Sequence, residues 1–145
     1  MNGAHSHLLV NHIPIIAPFV GLLVLIAAMV MKSEVVKRTA FAIVVLGAIS
    51  SFPAGVTGES AEEYLEEISD ADHVLIHEHE EAAEVFITFS YLSGALAAFA
   101  FWASYKEKTY AKFLPLVVLV ILLAVLFTSY NTGVTGGEII HTEIR

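Results

Sequence analysis

"FLPLVVLVILLAVLFTSYNTG", Phe113–Gly133, contains no charged side chain. A helix rising about 1.5 Å per residue needs roughly 20 such residues to cross about 30 Å of hydrocarbon, and this segment meets that length. Three further apolar runs do the same, at about 8–31, 39–57 and 83–105. Hydrophobic residues make up 57% of the 145-residue chain and charged residues 15%, and mean hydropathy is +0.74. No water-soluble domain of this length buries so much apolar surface in its own core. The sequence therefore predicts an all-α fold, a single four-helix transmembrane domain over 1–145 with spans 8–31, 39–57, 83–105 and 113–133 and an outer loop at 58–82.

Cations orient it, because short loops retained on the cytoplasmic side carry the excess of lysine and arginine. Lys32, Lys37 and Arg38 lie between the first two runs, and Lys106, Lys108 and Lys112 between the last two. Only Arg145 falls elsewhere. Both termini and the middle loop are expected outside, with an uncleaved first helix, which in a bacterium means a multi-pass inner-membrane protein whose two termini are periplasmic. On that topology thirteen acids and all seven histidines lie on the outer side, with only Glu34 and Glu107 inside. The spans hold almost no ionisable groups near mid-membrane, which argues against a proton or ion pathway. Nucleic acid is excluded as a partner by a pI near 5.2 and by cations confined to the membrane edge. The lipid bilayer is the partner every span requires; no feature sets an oligomeric state.

Small residues recur every four positions as Gly47, Ser51, Gly55 and as Ser90, Gly94, Ala98. Such rows let helix backbones approach closely in lipid. Pro18 is positioned to kink the first span near His12. In the outer loop, Ser60 with Glu63 reads as a capping box, and Ala61, Tyr64, Leu65 and Ile68 fall on one helical face. A short amphipathic helix is expected there, with Glu62, Glu63, Glu66 and Glu67 on its wet side. Asp70 or Asp72 provides a start signal for the third span.

One phrase occurs twice: "GVTG" at Gly55–Gly58 and at Gly133–Gly136, followed by Glu59 and by Glu138. Gly58 and Gly136 suit left-handed positions at helix C-termini, so two outward-running helices ending alike is one reading. The other is two related hairpins, each entering with histidines, turning through basic residues and returning to the same phrase. That symmetry sets His12 opposite His79 and Glu59 opposite Glu138. Imidazoles and carboxylates meeting at the bundle mouth suit a divalent transition metal such as zinc, iron or manganese, with His7, His12, Glu59, His79, Glu84, Glu138 and His141 as candidate ligands. Glu138 and His141 form the E-x-x-H spacing of di-iron carboxylate bundles. The absence of cysteine excludes thiolate chemistry, iron–sulfur clusters and covalently attached haem. His12 lies among apolar residues and needs a partner there, either a ligand or a group such as Asn11 or a backbone carbonyl. His5, His73 and His77 read as solvated loop residues.

At these residues the chain resembles a family of uncharacterised bacterial four-helix membrane proteins that open with H-x-L-x-x-H-x-P. Here the opening is His7-Leu-Leu-Val-Asn-His12-Ile13-Pro14, with Thr57-Gly58-Glu59 after the second span, His79 before the third, and Gly136-Gly137 near the end. The resemblance spans nearly the whole chain. It implies the four-span topology and redox work, since such domains are similar to ones joined to Rieske or cytochrome c modules. This chain carries neither module.

Three functional classes stand. In the first, the protein binds a divalent cation directly through the histidines and glutamates at the periplasmic mouth, with a redox or hydrolytic role. In the second, it is a b-type cytochrome with His12 and His79 as axial haem ligands, passing electrons to a periplasmic redox protein. Haem propionates would join a face of thirteen acids and one arginine, which makes a bare cation the easier guest. In the third, it is an accessory subunit of a membrane complex whose acidic loop docks a basic partner. No nucleophile-and-base arrangement names a substrate, so an enzymatic role stays open.

Overall fold

A computed structural model describes residues 2–68, 73–141 and Glu143. They form α1 (Gly3–Val10), α2 (Ile13–Met31), α3 (Glu34–Ile68), α4 (His73–Tyr105), a 3-10 turn (Thr109–Lys112) and α5 (Leu114–Ile140), with no strand among the described residues. Four stretches are long and apolar enough to cross a membrane: Gly3–Met31, Glu34–Leu65, His73–Tyr105 and Leu114–Ile140. The protein is thus an all-α four-helix bundle with the composition of a multi-pass membrane protein. Helix α2 packs on α3, α3 on α4, α4 on α5, and α5 on α2, while α1 lies along α3. Asp70 and Asp72 lie outside the described residues.

Proline divides the first span. Pro14 has no N–H to return to Val10, and its ring crowds that carbonyl, so the helix breaks at Asn11–His12 and restarts at Ile13. The break falls before Pro14; Pro18 sits inside α2, buried.

The two hairpin turns are built alike. Lys32 (φ 53°) and Glu107 (φ 51°) are the non-glycine residues with left-handed backbone among the described residues. The next N–H in each turn reaches back five residues: Ser33 to the Ala28 carbonyl at 3.1 Å, Lys108 to that of Ala103 at 3.0 Å. This is the longer bond of the Schellman closure, which satisfies carbonyls a helix end leaves bare. Between these turns Arg38 donates to the Ser104 hydroxyl (3.0 Å) and carbonyl (2.8 Å), and that hydroxyl donates to Glu34 Oε2 at 3.2 Å. Lys106, Lys108 and Lys112 lie over the rings of Tyr105, Trp102 and Phe113. This end of the bundle is its basic end.

Toward the basic end an apolar cluster gathers Leu22, Leu25, Ala40, Phe41, Val44, Ala97, Ala100, Val118 and Leu122, with the buried Ser104 beyond it. Toward the other end the core is lined by buried hydroxyls of Ser51, Ser90, Ser93, Ser129 and Thr132. Small residues set the helix spacing: a Cβ on Gly94 would overlap that of Ala48, and one on Gly47 would stand 3.0 Å from Ala17 Cβ. Ser90 and Gly94 lie in this seam, but Ala98 is exposed and Ala97 and Ala100 take its place. Eight residues on, a strict four-residue row has rotated about 80° off the contact. Large apolar side chains such as Ile26, Leu46, Ile49, Val120 and Leu123 face outward, as a lipid solvent requires.

The expected loop helix is instead the continuation of α3, which runs unbroken through Ser60 to Ile68. The Ser60 hydroxyl returns to the Val56 carbonyl at 3.4 Å rather than capping a new helix. At 35 residues, α3 is about 52 Å long and stands well clear of the hydrocarbon. Gly58 and Gly136 likewise end nothing: both lie within helices, and no described glycine has a positive φ.

Candidate functional site

The repeated phrase seats two histidines. Helix α1 is capped by Asn2, whose side chain accepts from the His5 N–H at 2.9 Å. Gly3 rests against the Ser60 backbone so closely that a Cβ there would overlap it. This contact lays α1 on α3 and delivers the half-buried His7 ring onto Thr57 and Gly58. His7 Nδ1 lies 3.1 Å from the Ala54 carbonyl and 3.3 Å from Thr57 Oγ1. The ring passes over Gly58, where a Cβ would sit 3.5 Å from Cε1.

In the second hairpin, the half-buried His79 of α4 does the same on α5. Its Nδ1 lies 3.1 Å from Thr135 Oγ1, the backbone of Thr132 also bonds the imidazole, and the ring passes over Gly136, where a Cβ would stand 2.9 Å from Cε1. The partners thus follow one pattern in both helices: a backbone carbonyl, a threonine three residues on, and a glycine next. Thr132 additionally donates to the Ala82 carbonyl at 3.0 Å, fastening α5 to α4 beneath the ring.

These contacts fix the tautomer. Thr57 Oγ1 already donates to the Pro53 carbonyl at 2.7 Å and to that of Ala54 at 3.2 Å, and Thr135 Oγ1 to those of Asn131 and Thr132 at 3.1 and 3.2 Å. Both hydroxyls therefore offer lone pairs, and a carbonyl only accepts, so Nδ1 is the protonated nitrogen in each ring. In the neutral imidazole Nε2 then carries a lone pair, and no described residue hydrogen bonds it in either ring. The two imidazoles lie close enough to interact electrostatically. Each ring is thus held through Nδ1, the way metal-bound histidines are fixed through their other nitrogen.

The remaining candidates are placed differently. His12, expected opposite His79, is exposed at the break before α2 without capping it, and its neighbour in electrostatic contact is His7. The helix break leaves its ring on the outside of the bundle rather than packed within it. Asn11 does not hold it, since its buried Oδ1 has no hydrogen-bond partner. Glu59 and Glu84 are exposed, and Glu138 is half-buried within α5. His141 ends α5 with non-helical backbone and contacts Glu143 Oε1 at 2.9 Å, so the E-x-x-H spacing does not place it on a helical face with Glu138. Among the described residues no three His, Cys, Asp or Glu side chains gather as a metal site. Thr135 was not singled out by sequence, and Thr57 only as part of the Thr57-Gly58-Glu59 motif, although the repeated phrase contains both.

Compared with family models, with curated proteins and with solved structures, the chain has no match, so its family resemblance rests on the short motifs alone.

Proposed function

We propose that this is a membrane haem protein in which His7 and His79 supply the two axial imidazoles of a b-type haem at the mouth of the bundle, and that it carries electrons there. The matched pair of Nδ1 anchors carries the reading: each leaves Nε2 neutral, unprotonated and oriented. A directly ligated cation needs three or four protein donors, whereas a haem brings four nitrogens of its own and asks for two. Two oriented imidazoles fit the second case better. The group would supply one-electron exchange.

The chain's own part is to hold and dry the site. Thr57 and Thr135 fix ring orientation, and Gly58 and Gly136 let the rings lie flat on their helices. Buried Ala54, Ala61, Ile76, Ala82 and Phe86 line that end of the core with apolar surface, which disfavours water. The acidity that made haem an awkward guest is carried by exposed side chains, among them Glu59, Glu78, Glu80 and Glu81. These stay solvated and present a negative surface to a basic soluble redox partner.

Absorption spectra of the protein purified from haem-replete cells test this. A Soret band that sharpens on dithionite reduction, lost in His7→Ala and His79→Ala and kept in His12→Ala, is the expected result. Colourless protein with stoichiometric zinc, iron or manganese would hand the site to a directly ligated cation. Protein with neither would leave the histidines as helix staples in an accessory subunit.

A further inference from the structure

The two hairpin turns match in backbone and differ in what their cations do. At the α2–α3 turn charge is used inside the protein: Lys37 pairs with Glu34 at 2.6 Å, and Arg38 is held by the Ser104 hydroxyl and carbonyl. At the α4–α5 turn Lys106, Lys108 and Lys112 are exposed, and none of them forms an ion pair among the described residues. Each ammonium lies instead over a ring, that of Tyr105 at 5.7 Å, Trp102 at 5.9 Å and Phe113 at 5.0 Å. A ring face positions a cation and leaves its charge whole. Against these three stands one acid in the same turn, the exposed Glu107.

The rings form a strip of their own. Phe99, Trp102 and Tyr105 follow one another at three-residue steps along α4 and are 45%, 45% and 63% exposed. Phe99 stacks on Trp102 with centroids 5.7 Å apart, and on Tyr110 of the 3-10 turn at 6.0 Å. Unneutralised lysines thus stand at the polar end of an outward-facing aromatic strip, which continues into the lipid-facing side of a span.

We infer that the α4–α5 turn is a binding site for an anionic phospholipid, whose phosphodiester is taken by the ammonium groups of Lys106, Lys108 and Lys112 and whose acyl chain lies along Phe99 and Trp102. The site is independent of whatever the histidines at the far end hold. Its ligand is anionic, because a zwitterionic head brings a cation of its own against three lysines already in excess. Its source is the bilayer, because the strip beside the lysines faces lipid and the anions standing at that level are phospholipid head groups. Each lysine beside an anionic surface contributes roughly fivefold in affinity.

Trp102 is the only tryptophan in the chain, so the site carries its own reporter. The full-length protein is reconstituted in phosphatidylcholine vesicles containing dibrominated phosphatidylglycerol or, separately, dibrominated phosphatidylethanolamine, whose bromines quench an indole they touch. Quenching of Trp102 should give phosphatidylglycerol a relative binding constant at least about fivefold higher, and raising sodium chloride from about 0.05 to about 0.5 M should shrink that preference. Lys106→Gln combined with Lys108→Gln should bring the two lipids close to parity, whereas Lys106→Arg combined with Lys108→Arg should keep the preference, with helical circular dichroism checking the fold of each. Equal quenching by the two lipids in the unaltered protein, a preference indifferent to salt, or one that survives in the folded glutamine variant would each overturn the site. Loss of the preference on adding inorganic phosphate at constant ionic strength would also overturn it, by assigning the lysines to a soluble anion.

Discussion

Replacing each of the two ring-bearing glycines by alanine separates a seat with spare room from one without. Both lie inside long helices, where Gly→Ala ordinarily stabilises by up to about 1 kcal/mol. At position 58 the new Cβ would meet His7 Cε1 at 3.5 Å and Nδ1 at 3.7 Å, which is ordinary contact. Gly58→Ala should keep most of the propensity gain, roughly 0.5–1 kcal/mol. At position 136 the Cβ would stand 2.9 Å from His79 Cε1, 3.1 Å from Nδ1 and 3.5 Å from Nε2. The ring must lift, adding an overpacking cost of about 1–3 kcal/mol and straining a hydrogen bond worth about 1 kcal/mol. Gly136→Ala should therefore be destabilised by about 1–2 kcal/mol net, and the two variants should move in opposite directions. Heating each in detergent while following helical circular dichroism reads this out, with roughly 2–4 °C expected per kcal/mol at this chain length. The Soret band should persist in Gly58→Ala and weaken in Gly136→Ala. Equal stabilisation of both variants would show that the His79 ring does not rest on α5.

Three further outcomes follow from the same geometry. Thr135→Val and Thr57→Val, nearly isosteric, each remove a hydroxyl bound to a histidine Nδ1 and should each cost no more than about 1 kcal/mol in thermal unfolding, because both rings keep a backbone partner, Thr132 for His79 and the Ala54 carbonyl at 3.1 Å for His7. Gly3→Ala should lift α1 off Ser60 and abolish haem uptake while the four spans still fold, as measured by absorbance against circular dichroism on one sample. Ser104→Ala should lower thermal stability by about 1–3 kcal/mol, since it removes the hydroxyl between Arg38 and Glu34 in a part-buried network.

The architecture was legible because its cause is local and additive. An uncharged run such as Phe113–Gly133 has few alternatives to a span, and the lysines beside each inner turn mark a common end. What sequence misread was decided by tertiary contact. The Ser60–Glu63 capping box has the right letters, but α3 reaches Ser60 already helical and is held there by α1, so no new helix starts. Gly58 and Gly136 read as stop signals because a glycine's freedom is visible in sequence and the ring lying on it is not. His12 was paired with His79 by counting along a repeat; Pro14 breaks the first span between His7 and His12 and leaves the inner of the two histidines facing out. Thr57 and Thr135 were printed in the repeated phrase, yet nothing local distinguishes a ring-orienting hydroxyl from one returned to its own helix.

The leucines, valines and phenylalanine that fill the core nearest the basic turns have an electrical consequence. No described polar side chain interrupts the cluster from Leu22 to Leu122, so an ion or a proton entering there would meet a barrier of many kcal/mol. That cluster is a barrier to charge between the basic turns and the histidine end. On the reading proposed above, charge gathered or given up among the histidines would stay on one face, and a voltage held across the bilayer would not leak through this cluster.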